Sequence, residues 1–265
     1  MKEFGLQLYS VRDHMTDEAG IKETFLKLAE MGYTTGQTAG TYDFIAPEKF
    51  AEYAKEAGIK ICGTHYNWDR IRNDVEGTVA YHKALGTTNV GIGGMPGYAI
   101  VSVEALDAFI NQFNSLATEY AKYGMKLTYH NHSFEFKRLE DGRTIFDHLV
   151  EKFDKQNISF VLDTYWLQHG GKDIRETIES LSGRVGILHV KDMEACRNIR
   201  VGDSNINVPY ITEIGSGNLN FKSIIATAEA CGVKHFVVED DRAVEVGSFD
   251  AVKKSADYIK ANLLA

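Results

Sequence analysis

Apolar and polar residues follow one rhythm along this chain. A stretch with apolar side chains three and four residues apart ends in glycine, and a short β-rich apolar run follows. The junctions read EMGYTT at Gly32, EAGIKI at Gly58, ALGTTNV at Gly86, KYGMKL at Gly124, LSGRVGILHV at Gly183 and ACGVKHFVVE at Gly232. Ile21, Phe25, Leu28 and Ala29 make one helical stripe; Leu106, Phe109, Ile110, Phe113, Leu116 and Ala117 make another. Glycine suits these junctions because a helix commonly ends on a left-handed residue. The runs that follow, such as LTY, FVL and FVVE, are apolar on both faces, which suits strands of a parallel sheet covered on both sides.

Eight strands are predicted: Phe4–Tyr9, Tyr33–Thr38, Ile59–Thr64, Asn89–Gly93, Met125–His130, Ile158–Asp163, Val185–Val190 and His235–Glu239. A helix follows each, the second opened by Pro47 and the last spanning Phe249–Asn262. Strict alternation at this count predicts an α/β fold, a (β/α)8 TIM barrel formed by one domain over residues 1–265. An open doubly wound sheet is the runner-up; it calls for a glycine-rich turn after the first strand, where this chain reads YSVRDHM. One connection breaks the rhythm. Residues 191–220 are rich in Asn, Gly and Asp with weak periodicity, and are read as a long loop over the face where barrel enzymes bind substrate.

Composition narrows the function. With 29 Lys+Arg against 37 Asp+Glu, the formal charge of -8 and the lack of basic runs speak against nucleic acid as a partner. The start, MKEFGLQLYSVRD, carries charges throughout and does not read as a signal peptide, and no segment approaches membrane-spanning length. Three scattered cysteines, Cys62, Cys196 and Cys231, suggest reduced thiols and a cytoplasmic location.

The candidate chemistry sits at the strand ends. In YHNHSFEF, His130 and His132 are two apart and share a face if the strand continues, with Glu135 three residues on. His65 ends the third strand, Asp163 the sixth, His189 and Lys191 the seventh, and Glu239 the eighth, with Asp240 and Asp241 behind it. A lone carboxylate there is most simply a loop cap. Several on one ring cost several kcal/mol each to desolvate unless a cation compensates them, on the order of known buried-ion penalties. A mixed set of carboxylates and imidazoles suits Mn, Zn, Fe or Co better than Ca.

GLQLYSVRD, YHNHSFEF, DTYWLQHGG, LHVKDM, EIGSGN and VVEDD, in that order, resemble the xylose-isomerase-like TIM barrels known as sugar phosphate isomerases/epimerases. The resemblance spans nearly the whole chain. It implies one divalent metal ion (Mn, Zn, Mg, Co or Fe, with Mn favoured), a small-molecule carbohydrate substrate and a homo-oligomer. The ligands it implies fall on Asp163, His189 and Glu239, and by register on His130, where relatives usually carry Glu; Glu135 is the rival. Relatives also often carry Glu at the end of strand two, where this chain has Gln37. The implied function is isomerisation or epimerisation of a sugar or keto-sugar through proton abstraction next to a carbonyl. Glu239, His132, Glu135 and Lys191 are the catalytic candidates. His65, Arg12, Gln37 and Trp166 are the substrate-binding ones, with Tyr165 beside Trp166; the two glycines of EIGSGN do not suffice to read the substrate as phosphorylated. Alternatives are a lyase or dehydratase acting on a keto-inositol or 3-keto-glycoside, and a non-catalytic sugar-binding barrel. Metal-rich endonuclease barrels share the scaffold, but the acidic balance speaks against them.

Overall fold

In the computed structural model, which describes residues 1–264, all eight predicted runs become strands of one parallel sheet. In chain order the strands are β1 (Gly5–Gln7), β2 (Thr35–Ala39), β3 (Lys60–His65), β4 (Asn89–Ile92), β5 (Lys126–His130), β6 (Ile158–Asp163), β7 (Val185–Val190), β8 (Asp192–Val201), β9 (Ser204–Thr212) and β10 (His235–Val238). The sheet runs β3-β2-β1-β10-β7-β6-β5-β4. Its two ends meet at a seam that is bonded without a regular ladder. Tyr66 N donates to Gly91 O at 2.6 Å, Asn89 Nδ2 to Cys62 O at 2.7 Å, and Gly91 N to Thr64 Oγ1 at 3.3 Å. The result is a (β/α)8 TIM barrel.

The glycine rhythm is a set of helix ends. All six junction glycines have positive φ, for example 97° at Gly32, which terminates the helix Glu18–Met31. Pro47 is the first residue of the helix Pro47–Glu56, where its missing N–H leaves no bond unmade. The stripe on Val103–Ala121 buries Phe109 and Phe113 against Tyr129 and Phe153, so Tyr129 faces the helical layer. Inside the barrel, Val161, Ile187 and Val237 cluster with Cys62. Each of the first three stands two residues before a polar strand-end group: Asp163, His189 and Glu239. Alternation therefore delivers those three to the same inward face, one layer nearer the mouth.

Residues 191–220 differ from the irregular loop expected. β8 and β9 pair antiparallel, from Asp192↔Thr212 to Val201↔Ser204, around a turn with Gly202 at φ 60°. A register shift between Glu194 and Arg197 breaks the alternation, which hid the period in the sequence. The ribbon's base is clasped by Asp192, whose buried carboxylate accepts from the N–H groups of Met193, Gly215, Gly217 and Leu219 at 2.8, 2.9, 3.0 and 3.2 Å. Within EIGSGN the N–H groups of Gly215 and Gly217 are thus spent on the protein's own carboxylate, while those of Ile214, Ser216 and Asn218 donate to Ser255 Oγ, Glu213 O and Met193 O. No helix among the described residues is long and apolar enough to cross a membrane.

Candidate metal centre

Four buried side chains from four strand ends, His130, Asp163, His189 and Glu239, each bring one ligand atom to within 4.8 Å of the others. Local bonding aims each atom. His130 Nδ1 lies 3.1 Å from Gly93 O, which can only accept, so the proton sits on Nδ1 and the Nε2 lone pair faces inward. Nε2 is 3.5 Å from Asp163 Oδ2 and 3.8 Å from Glu239 Oε2. Asp163 is divided between two tasks. Its Oδ1 accepts from Trp166 N at 2.9 Å, capping the helix Thr164–His169, while its Oδ2 turns to the cluster. Asn131 Oδ1 accepts from Asp163 N at 3.1 Å and holds that strand end. His189 spans the site, with Nδ1 2.9 Å from Glu239 Oε2 and Nε2 2.5 Å from Gln37 Oε1.

Lys191, two residues beyond His189, is buried with its ammonium 2.8 Å from Asp241 Oδ2, 3.1 Å from Glu239 Oε2 and 3.6 Å from Asp163 Oδ2. Burial works against every charge here, and the partners outweigh it. Lys191 and then His189 hold the Glu239 carboxyl well below its usual range. Lys191 and the neighbouring imidazoles of His130 and His189 bring Asp163 down to about 2. Glu239 and Asp163 raise His189 to about 9, and together with Asp241 they hold Lys191 charged. His132 goes the other way, to about 3, through burial and the neighbouring His130 and Lys191. Burial and the two neighbouring imidazoles, His130 and His189, push His65 well below its ordinary value.

The residues fit a cation. His130 Nε2 and Asp163 Oδ2 are buried acceptors without a hydrogen-bond partner among the described residues. Such atoms are costly to desolvate unless something binds them. Two carboxylates and two imidazoles form the mixed N/O set that suits a transition-series dication.

The cluster opens into a cavity of about 380 Å³ lined by Tyr9, Ala39, His65, Gly93, His130, His132, Lys191, Glu239 and Asp241. Other candidates lie elsewhere. Glu135 is not at the centre, as either ligand or acid. It sits on the turn Phe134–Phe136, where Oε1 accepts from Tyr129 OH at 2.7 Å and Oε2 from His132 N at 2.8 Å, and burial raises it to about 8. Tyr129 faces the helices, so a carboxylate bound to it is drawn out of the barrel. Arg12 is spent on the carbonyls of Tyr9 and Asp241 at 2.7 and 3.1 Å, and stacks on the Tyr9 ring. Trp166 backs the cavity wall, 5.3 Å from the His132 ring and 5.1 Å from Lys191 Nζ; Tyr165 lies edge-on behind it. Gln37 lies buried beneath the cavity, against His189. Asp241, Tyr9 and Gln7 were missed as site residues. The alternation of Glu239 and Asp241 in VVEDD was the available signal for the first, and the strand-end position in GLQLYS for the third.

The fold and the inward ring of imidazoles and carboxylates define a barrel-mouth enzyme-like site of the metal-capable class. The chain belongs to the xylose isomerase-like TIM barrel family, whose profile matches residues 25–262. No curated protein matches it in sequence. Among solved structures it is similar to a sugar phosphate isomerase/epimerase from Parabacteroides distasonis, at 26% identity over 99% of this chain and 94% of that one, TM-score 0.78. A probable 3-DHS dehydratase from Bacillus anthracis (14% identity, 97% and 98% covered, TM-score 0.72) shares the fold. So does a Methylomonas D-allulose 3-epimerase solved with D-allulose (17% identity, 98% and 96% covered, TM-score 0.67). A sugar phosphate isomerase/epimerase is thus among the proteins this barrel is similar to in sequence as well as in fold.

Proposed function

We propose that this protein is a divalent-metal-dependent isomerase or epimerase that removes a proton next to the carbonyl of a sugar or keto-sugar. The carrying observation is the convergence of four buried ligand atoms within 4.8 Å, two of them without a partner, at the wall of an open cavity. In this reading His130 binds through Nε2, Asp163 through Oδ2, His189 through Nδ1 and Glu239 through a carboxylate oxygen, with Mn2+ favoured. When bound, the cation supplies Lewis-acid polarisation of a carbonyl and stabilises charge on the neighbouring oxygen.

The chain's own residues handle the proton. Glu239 lines the cavity as a carboxylate, the position from which it would accept a carbon-bound proton. Lys191 stays cationic beside Glu239 and Asp241, so it holds both carboxylates in place and stands ready as a donor on that wall. His65 at the end of β3 and His132 just beyond β5 contribute neutral imidazoles, able to bind substrate oxygens or relay a proton. The D-allulose bound to the Methylomonas epimerase supports a carbohydrate as the ligand of this fold. Solvent deuterium incorporation into a panel of ketoses and keto-glycosides, with Mn2+ and with chelator, tests the proposal. Exchange that needs the metal is expected, and its absence across the panel refutes the reading.

A lyase is the second reading, favoured by one observation. The two carboxylates that line the cavity, Glu239 and Asp241, both follow β10, and strand five contributes His130 rather than a facing acid. A one-sided acid/base set suits expulsion of a β-substituent from a keto-inositol or 3-keto-glycoside. Product analysis after exchange separates the two readings.

A further inference from the structure

One buried carboxylate stands outside the cluster, with no cation against it among the described residues. Glu135 is fully buried, and both of its oxygens receive hydrogen bonds, Oε1 from Tyr129 OH at 2.7 Å and Oε2 from His132 N at 2.8 Å. Tyr129 OH in turn accepts from Met95 N at 3.3 Å, on the loop after β4. The chain of bonds from Met95 through Tyr129 and Glu135 to His132 thus runs from one loop of the mouth to the next. A carboxylate buried without a cation is costly, and a turn can be closed without one.

What this tie holds is the wall of the cavity. His132 lines the cavity, yet its Nδ1 is buried without a hydrogen-bond partner among the described residues. Packing places the ring instead: it stacks on Phe134 at 5.5 Å and stands edge-on to His130 at 4.8 Å. Phe134 belongs to the same turn as Glu135. The loop at the far end of the tie frames both imidazoles. Gly93 O meets His130 Nδ1 at 3.1 Å, and a Cβ on Gly94 would stand 3.4 Å from His132 Nδ1. The His132 ring, the Phe134 platform and the Gly94 backbone therefore belong to the two segments that Glu135 joins.

We propose that Glu135 is the positioning residue of His132: its carboxylate locks the turn after β5 to Tyr129 and to the loop after β4, and so fixes the imidazole at the cavity wall. Glu135 does not itself line the cavity. The tie is complete only for the ionised carboxylate, because a proton on either oxygen falls where a hydrogen bond already arrives. Burial raises Glu135 to about 8, so the tie tightens as pH rises through that value. The titratable groups that face it are Tyr129 on β5, kept protonated by burial and by Glu135, and His132 on the turn, kept neutral by burial. Phe109, Phe113 and Phe153 close round Tyr129 from the helical side. A role in turnover rests on the metal-dependent reading above; the tie does not.

The test uses proton and nitrogen-15 spectra of the full metal-free chain, and the Mn2+-loaded chain for turnover. In the wild type the His132 amide proton is expected far downfield and titrating with a midpoint of about 8, with ring contacts to Phe134 and Gly94. Glu135→Gln should move that amide upfield, abolish its titration and weaken the ring contacts. Tyr129→Phe keeps the aromatic packing and removes one hydroxyl. It should loosen the ring in the same way and move the midpoint to higher pH, because the bond from Tyr129 lowers Glu135. Ring contacts that persist in both variants overturn the positioning role; a wild-type amide that does not titrate overturns the tie. In deuterium exchange, Glu135→Gln should lower kcat about 10–100-fold, the order that a misplacement of about 1 Å brings, with KM and Mn2+ affinity kept. An unchanged kcat, or loss of Mn2+ binding in that variant, overturns the proposal. A wild type with the titrating amide and the ring contacts but no exchange refutes the metal-dependent reading and supports the tie.

Discussion

Acid should open the barrel at its seam, and His82 is the group that titrates. Its Nδ1 lies 2.7 Å from Thr78 O, so Nδ1 carries the proton. Its Nε2 then accepts from Thr64 Oγ1 at 2.8 Å, and Thr64 Oγ1 accepts from Gly91 N at 3.3 Å. A neutral imidazole thus supports the place where β3 and β4 meet without a ladder. Burial lowers His82 from 6.5 to about 4. Above pH 6.5 neither the folded nor the unfolded chain protonates there. Between 6.5 and 4 the unfolded chain binds a proton that the folded one refuses, so stability falls as pH drops, and below 4 the loss is complete. At 1.36 kcal/mol per pKa unit, that shift amounts to about 3 kcal/mol. Urea unfolding of the wild type and of His82→Leu at pH 7.5 and pH 4 isolates the contribution. The wild type's advantage over the variant should shrink by about 3 kcal/mol at the acid end. An advantage that stays constant across this range refutes a neutral, proton-refusing His82. The seam also carries His65 on one side and the Gly93 carbonyl that orients His130 on the other, so loss of the site should accompany its loosening.

Asp163→Ala should leave the purified protein without stoichiometric metal by elemental analysis and without deuterium exchange; a full-rate variant rejects the site. Gly217→Ala should destabilise by about 1–3 kcal/mol in thermal melts, of the order seen for overpacking, because its Cβ would stand 2.4 Å from Asp192 Oδ1 in the clasp. Equal melting temperatures would mean that the clasp yields easily. Asp192→Asn should lower the melting temperature as well, since one of its oxygens becomes a donor facing N–H groups; an unchanged melt argues that fewer of those bonds matter.

Much of this was legible beforehand for a physical reason. Buried parallel strands have to be apolar on both faces, and helices ending on left-handed glycines mark their own boundaries, so the alternation was readable at nearly every junction. The inward ring was readable because strand periodicity ties Asp163, His189 and Glu239 to Val161, Ile187 and Val237. The ribbon of β8 and β9 was missed because its register shift falls mid-strand and most of its side chains are exposed, leaving no burial pattern to read. Glu135 was misjudged because spacing cannot tell that the chain turns outward after His132 and gives the carboxylate to Tyr129. The distances put Lys191, a catalytic candidate from the sequence, against Glu239 and Asp241, while Asp192 serves the loop. The roles of Gln7 and Gln37 depend on contacts 58 and 152 residues away, which no local pattern encodes.

The divided carboxylate of Asp163 constrains what can replace it. Asparagine can still cap the helix Thr164–His169 with its oxygen, but it turns a neutral amide toward the ring. Glutamate keeps the charge, yet its extra methylene shifts both oxygens away from the Trp166 N–H. Chemistry and architecture are fastened to the same few atoms at this strand end, so this corner of the barrel has little room to drift in sequence even if its substrate changes.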